Sequence, residues 1–100
     1  MIKHVIIWTL DSNLSVNEKN EVRANAKREL EALVGKVPGL LKMNIEISPL
    51  KTSNADMMLY SEFEDEESLI GYKDHPEHVR VADTFLRPFT VQRSCMDFTA

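Results

Sequence analysis

At 100 residues the chain has length for one hydrophobic core only, and 43% hydrophobic with 28% charged residues excludes a disordered or collagen-like polymer. Sixteen acidic against twelve basic residues leave a net charge of -4, opposite to the surface that a phosphate backbone selects, so no nucleic-acid partner is expected. The longest uncharged apolar run, Val5 to Leu10, falls far short of the ~20 residues of a membrane span, and Cys95 is the only cysteine; a cytoplasmic protein with no disulfide and no membrane partner is expected.

Taken in order, Ile2 to Thr9 is rich in β-branched and aromatic residues and is read as a first strand ended by Asp11-Ser12-Asn13. Ser15-Val16-Asn17-Glu18 has the form of a capping box and opens a long helix. Its apolar stripe is Val22, Ala26, Leu30, Leu33, Val34 and Val37, stopped by Gly35 and Pro38-Gly39. Leu41, Met43, Ile45 and Ile47 alternate with polar residues as a second strand, and Asp56 to Phe63 forms a third after a polar loop. Asp65 caps a short helix running to about Tyr72. Pro76 then starts another, through Val79, Ala82 and Phe85 to Arg87. Phe89 to Phe98 is the last strand.

The order β-α-β-β-α-β over residues 1–100 predicts one α+β domain, a ferredoxin-like antiparallel sheet of four strands with helices on one face. The first strand is apolar on both parities, Ile2, Ile6 and Trp8 against Val5 and Ile7, so both sheet faces should be buried although helices cover only one. A second copy of the chain is the simplest cover, and a homodimer is expected.

Candidate chemistry gathers in Tyr72-Lys73-Asp74-His75-Pro76-Glu77-His78 and in the first strand. With Pro76 as the first helical residue, His78 falls in the first turn, where free N–H groups and the helix dipole disfavour a positive charge, so a neutral imidazole is a reasonable base. Tyr72 supplies a hydroxyl able to orient a carbonyl or share an enolate charge, or else is a core ring with a wet tip. His75 is read as a cap or turn residue. His4 and Trp8, on one parity of the first strand, are the substrate-contacting candidates, with a hydrogen-bonded structural histidine as the plainer reading of His4. Cys95 is expected to be buried and inert. A metal held by His4, His75 and His78 with Asp74 or Glu77 matches no zinc spacing, so no metal or cofactor is expected.

The segments Ile2-Lys3-His4-Val5, Gly35-Lys36-Val37-Pro38-Gly39, Ser61-Glu62-Phe63 and Tyr72-x-x-His75-Pro76-x-His78-Val79 together resemble the Dabb family, the stress-responsive dimeric A/B barrel domain. That resemblance implies a homodimer in which two ferredoxin-like sheets form a barrel with the helices outside. Members include a plant polyketide cyclase that closes a ring by aldol condensation, with a Tyr and a His at positions similar to Tyr72 and His78 and a pocket His similar to His4. At two other pocket positions this chain has Ala24 and Ala26 where the cyclase has a Tyr, and Met57 where it has a His. Two functions compete: cofactor-free proton transfer or cyclisation on a small carbonyl or phenolic molecule, and a stress-responsive module that binds such a ligand, or a partner, without turnover. Related barrels that oxygenate with haem or on quinols are a third comparison, without a clear haem ligand here beyond the histidines.

Overall fold

In the computed structural model, which covers residues 1–100, strand β1 (Ile2–Leu10) is hydrogen-bonded on both sides and the remaining elements arrange around it. Helix α1 (Val16–Glu31) leads to β2 (Leu40–Glu46) and β3 (Met57–Phe63); helices α2 (Glu66–Asp74) and α3 (Pro76–Phe85) then lead to β4 (Thr90–Thr99). The sheet runs β2-β3-β1-β4 with every neighbouring pair antiparallel, which is the expected ferredoxin-like α+β architecture. No helix is long and apolar enough to cross a membrane.

Alternation along β1 divides its side chains between the two sheet faces. Ile2, His4, Ile6, Trp8 and Leu10 are buried beneath the helices, joined across the sheet by Leu40, Met43, Ile45, Met57, Leu59, Ser61 and Phe63. Val22, Ala26 and Leu30 of α1 with Leu69, Tyr72 and Val81 of α2 and α3 close this core from above. The opposite face carries Val5, Ile7, Met58, Tyr60, Met96 and Phe98 in register, and Ile7, Met96 and Phe98 are exposed. This is the apolar face foreseen from the two-sided first strand.

The caps read from the sequence are present. Ser15 and Glu18 form a reciprocal capping box, and the Asp65 carboxylate accepts from the Ser68 backbone N–H. His75 caps α3, its Nδ1 accepting from the Glu77 N–H at 3.1 Å, with Pro76 in the first turn.

Two local expectations are corrected. Helix α1 ends at Glu31, so Leu33 and Val37 reach the core from a run of turns and Val34 points outward. Gly35, at φ +91°, takes the left-handed conformation that a continuing helix excludes, and the Leu33 carbonyl accepts from both Lys36 and Val37 instead. In β2 a bulge between Leu40 and Lys42 leaves Leu41 without a partner on β3; Leu40 takes the core place that alternation assigned to Leu41, which is exposed.

Side chains of α1 also seal the sheet. The Glu31 carboxylate accepts from the Ile45 N–H at 2.9 Å and Lys27 donates to the Ile45 carbonyl at 2.9 Å, so the edge of β2 has both backbone groups of this residue occupied. Asp56 accepts from the Leu10 N–H and from the Arg23 guanidinium, fastening the end of β1 and the start of β3 to α1.

Gly39 tests how closely α2 sits on the chain entering β2. Its φ is +80° and an added Cβ would lie 2.0 Å from Ser68 Oγ, whereas a Cβ at helical Gly71 meets nothing within 4 Å. Gly39→Ala should lower unfolding free energy by about 1–3 kcal/mol from backbone strain, with the Ser68 clash adding to it. Gly71→Ala should raise it by roughly 0.5–1 kcal/mol. Urea unfolding of the two variants measures the contrast, and equal midpoints would contradict the close approach at Gly39.

Candidate functional site

The break between α2 and α3 at His75 and Pro76 folds the start of α3 back onto the end of α2. The His78 ring thereby lies on the Tyr72 ring, with centroids 4.1 Å apart and planes inclined by 32°. Phe63 meets Tyr72 edge-on at 5.1 Å, and His4 does so at 6.1 Å, so four rings from β1, β3, α2 and α3 stack into one cluster. A cavity of about 100 Å³ opens beside it. Ile6, Trp8, Leu30, Leu59, Ala82 and Leu86 form its apolar wall; its polar lining is Tyr72, His78, Thr90, Arg87 and Arg93.

A single hydrogen bond distinguishes the two ring nitrogens of His78. Nδ1 lies 3.1 Å from the Lys73 carbonyl oxygen, which can only accept, so Nδ1 carries the proton and Nε2 keeps a lone pair. Burial pushes the imidazole pKa below its ordinary value, against the opposing hydrogen bond to Lys73, and the nearby charges of Arg87 and Arg93 lower it further. The ring is neutral near pH 7, as expected from the sequence, although burial is the chief cause rather than the helix dipole.

Tyr72 is fully enclosed, 1% exposed, and burial raises its pKa above the usual tyrosine value against the opposing charge of Arg93. It remains a phenol at neutral pH. No protein group bonds its hydroxyl, yet no buried side-chain polar atom is unsatisfied, so that oxygen is open to the cavity. This is the core ring with a wet tip that is one reading of Tyr72 from the sequence.

The other named residues divide. Trp8 lines the cavity; His4 does not, because Tyr72 and Phe63 cover its ring and leave it 1% exposed. His4 Nδ1 is paired with Asp97 Oδ1 on β4, and its carbonyl accepts from Ser61 Oγ at 2.9 Å. Burial lowers the His4 pKa more than the Asp97 carboxylate raises it. On Asp97 itself partial burial acts upward, but the hydrogen bond to His4, with Lys73 nearby, holds the carboxyl below its usual range.

Cys95 corrects an expectation: it is exposed, because β4 extends beyond the helix layer and carries exposed residues along nearly its whole length. Its Sγ lies 3.7 Å from His4 Nδ1 and 3.6 Å from Asp97 Oδ1, making His4, Cys95 and Asp97 the one group of potential metal donors that converges. Burial and the Asp97 charge raise the thiol pKa, so Cys95 stays protonated at neutral pH. The different metal set weighed from the sequence, with His75, is not assembled: His75 is occupied as the α3 cap.

Arg93, Thr90 and Asp97 were missed by sequence reasoning. Alternation in the last strand would have placed Arg93, Cys95 and Asp97 on one face, but only the register, with Arg93 opposite Trp8 and Asp97 opposite His4, brings them to the site. A larger concavity of about 430 Å³ lies between the Ser48–Met58 segment and Ile7, and no histidine or tyrosine lines it.

The model of the stress responsive A/B barrel domain, Dabb, matches residues 2–100. The chain belongs to the Dabb family. A solved structure from Bacteroides fragilis, described as a dimeric protein of unknown function with a ferredoxin-like fold, is similar to this Dabb chain at 29% identity and a TM-score of 0.91, over 97% of this chain and 93% of that one. A Dabb family protein from Mesorhizobium loti shares 20% identity at a TM-score of 0.76, covering 99% and 95%. A structure described as an antibiotic biosynthesis monooxygenase shares the fold at 14% identity and a TM-score of 0.76, covering 100% and 98%. No curated protein matches this Dabb chain.

The lowered histidine values carry a sign for stability. His4 and His78 bind protons less readily folded than unfolded, so below the ordinary pKa of 6.5 the unfolded chain holds more protons and stability is lost as pH falls. Urea midpoints should be lower at about pH 5 than at about pH 7.5, and His78→Gln should reduce the difference. A midpoint unmoved across this range would contradict neutral, buried imidazoles.

Proposed function

We propose that this Dabb chain forms a homodimeric A/B barrel, and that each protomer binds a small carbonyl or phenolic molecule between its sheet and helices. His78 acts as base and Tyr72 orients the oxygen. The observation that carries this reading is the pairing of unlike proton roles on one wall. A lone pair at His78 Nε2 and an unpartnered Tyr72 hydroxyl belong to stacked rings beside the same apolar cavity.

In the reaction, Tyr72 donates to the substrate oxygen while His78 Nε2 removes a proton from the adjacent carbon or from a phenol, and the resulting enolate or phenolate is stabilised by that hydrogen bond. Returning the proton from His78 at another atom completes an isomerisation; attack of the enolate carbon on a second carbonyl of the same molecule opens its C=O bond to an alkoxide, which takes the proton back from His78 and completes a cyclisation. Trp8 contacts the ligand, and His4, held by Asp97, supports Tyr72 from behind. No metal or cofactor has a part in this scheme.

The dimer reading is supported by the exposed outer face of Val5, Ile7, Met58, Met96 and Phe98, and by relatives from Bacteroides fragilis and Jannaschia that are described as dimeric. A reducing, cytoplasmic setting suits the single exposed thiol of Cys95.

Thermal-shift screening with aromatic and polyketide-like carbonyl compounds would first supply a substrate. His78→Ala should then lower turnover by roughly 10²–10⁴-fold, and Tyr72→Phe by roughly 10²-fold or more. Ligand binding that persists in a protein with no turnover selects the binding-module function, and normal turnover in both variants removes the catalytic assignment. Sedimentation should give twice the 11.5 kDa chain mass at micromolar concentration, and Ile7→Glu should return the monomer. A wild-type chain that sediments as a monomer excludes the dimer.

A further inference from the structure

The cavity beside Tyr72 and His78 has an uneven polar lining. Two guanidiniums, Arg87 and Arg93, line it and no carboxylate does. Arg87 is paired with Asp83 on its own segment. Asp97, nearby on β4, is engaged by His4 and lies 3.8 Å from Lys73 Nζ. Arg93 enters none of the chain's salt bridges or side-chain hydrogen bonds, so its five donors are available to a ligand.

We infer that the ligand of this cavity is a small monocarboxylic acid with an apolar or aromatic body, and that Arg93 receives its carboxylate. This inference rests on the ligand-site reading above and adds the charge of the molecule to it. The backbone of β4 fixes the place of Arg93: it stands opposite Trp8 in register, on the helix-facing side of the sheet. Arg93 shares the cavity lining with Tyr72 and His78.

A carboxylate matches the planar guanidinium fork of the exposed Arg93 with two parallel hydrogen bonds. The rest of such a ligand would rest on Ile6, Trp8, Leu59 and Leu86, with its carbonyl or phenolic oxygen directed to Tyr72. A neutral molecule of the same shape would leave Arg93 unpaired. Discrimination therefore follows from charge, whereas the apolar wall accepts either.

Trp8 is the chain's only tryptophan and lines the cavity, so its fluorescence reports occupancy. Benzoate and its neutral analogue benzamide are the probes. Benzoate should change Trp8 emission saturably and bind at least about tenfold more tightly than benzamide, and Arg93→Gln should abolish that preference while leaving the benzamide response and the far-UV circular dichroism unchanged. Arg93→Lys should recover part of the preference, since it keeps the charge and loses the fork. If the wild-type protein binds both probes equally and Arg93→Gln changes neither, the carboxylate inference is wrong and the cavity remains a ligand site. If neither probe alters Trp8 at millimolar concentration, the ligand-site reading and the inference fall together.

Discussion

The two-sided pairing of β1 is the constraint on which the remaining structure depends. Ladders to β3 and β4 hold each residue from Ile2 to Trp8 in register on both sides, and a one-residue slip would move every side chain to the other face. Ile2, His4, Ile6, Trp8 and Leu10 therefore stay beneath the helices, while Val5 and Ile7 stay outside. The same alternation places an imidazole and an indole in the layer where α2 and α3 arrive. It also produces the apolar outer surface that one chain leaves uncovered.

Chemical asymmetry at the site comes from a break in helix. Pro76 lacks the N–H needed to continue α2, and His75 turns the chain by capping the next helix. A continuous helix would separate Tyr72 and His78 by six residues and point them to different sides. The break stacks their rings and brings the Lys73 carbonyl to His78 Nδ1. One backbone acceptor thus selects the tautomer, and burial keeps the phenol protonated and the imidazole neutral. Donor and acceptor stand side by side on stacked rings.

The sheet's two edges are treated differently. Lys27 and Glu31 occupy both backbone groups of Ile45, closing β2 where another strand would otherwise pair. β4 receives no such cover, and its residues are exposed on both faces except at its start. Freedom from the core lets this strand carry Arg93, Cys95 and Asp97 beside the histidines. A strand buried on the helix side would have to satisfy or exclude those polar groups.

Much of this was legible in the sequence because it rests on local rules. Period-two alternation located the strands, the Ser15–Glu18 box and Pro76 located helix starts, and apolar residues on both parities of the first strand exposed the need for a partner face. Helix periodicity overran at Leu33 to Val37 because a buried turn can reproduce the spacing of a helix face. Alternation failed at Leu41 because a bulge inserts a residue that periodicity cannot register. Tyr72, His78 and Trp8 were candidates from their types and positions, and all three line one cavity. That His4 stands behind Tyr72, that Cys95 is exposed and that Arg93 joins the cavity were decided by the tertiary structure. The first depends on how α2 packs over β1 and the other two on pairing β1 with a strand at the far end of the chain, and local spacing carries no information about contacts over that distance.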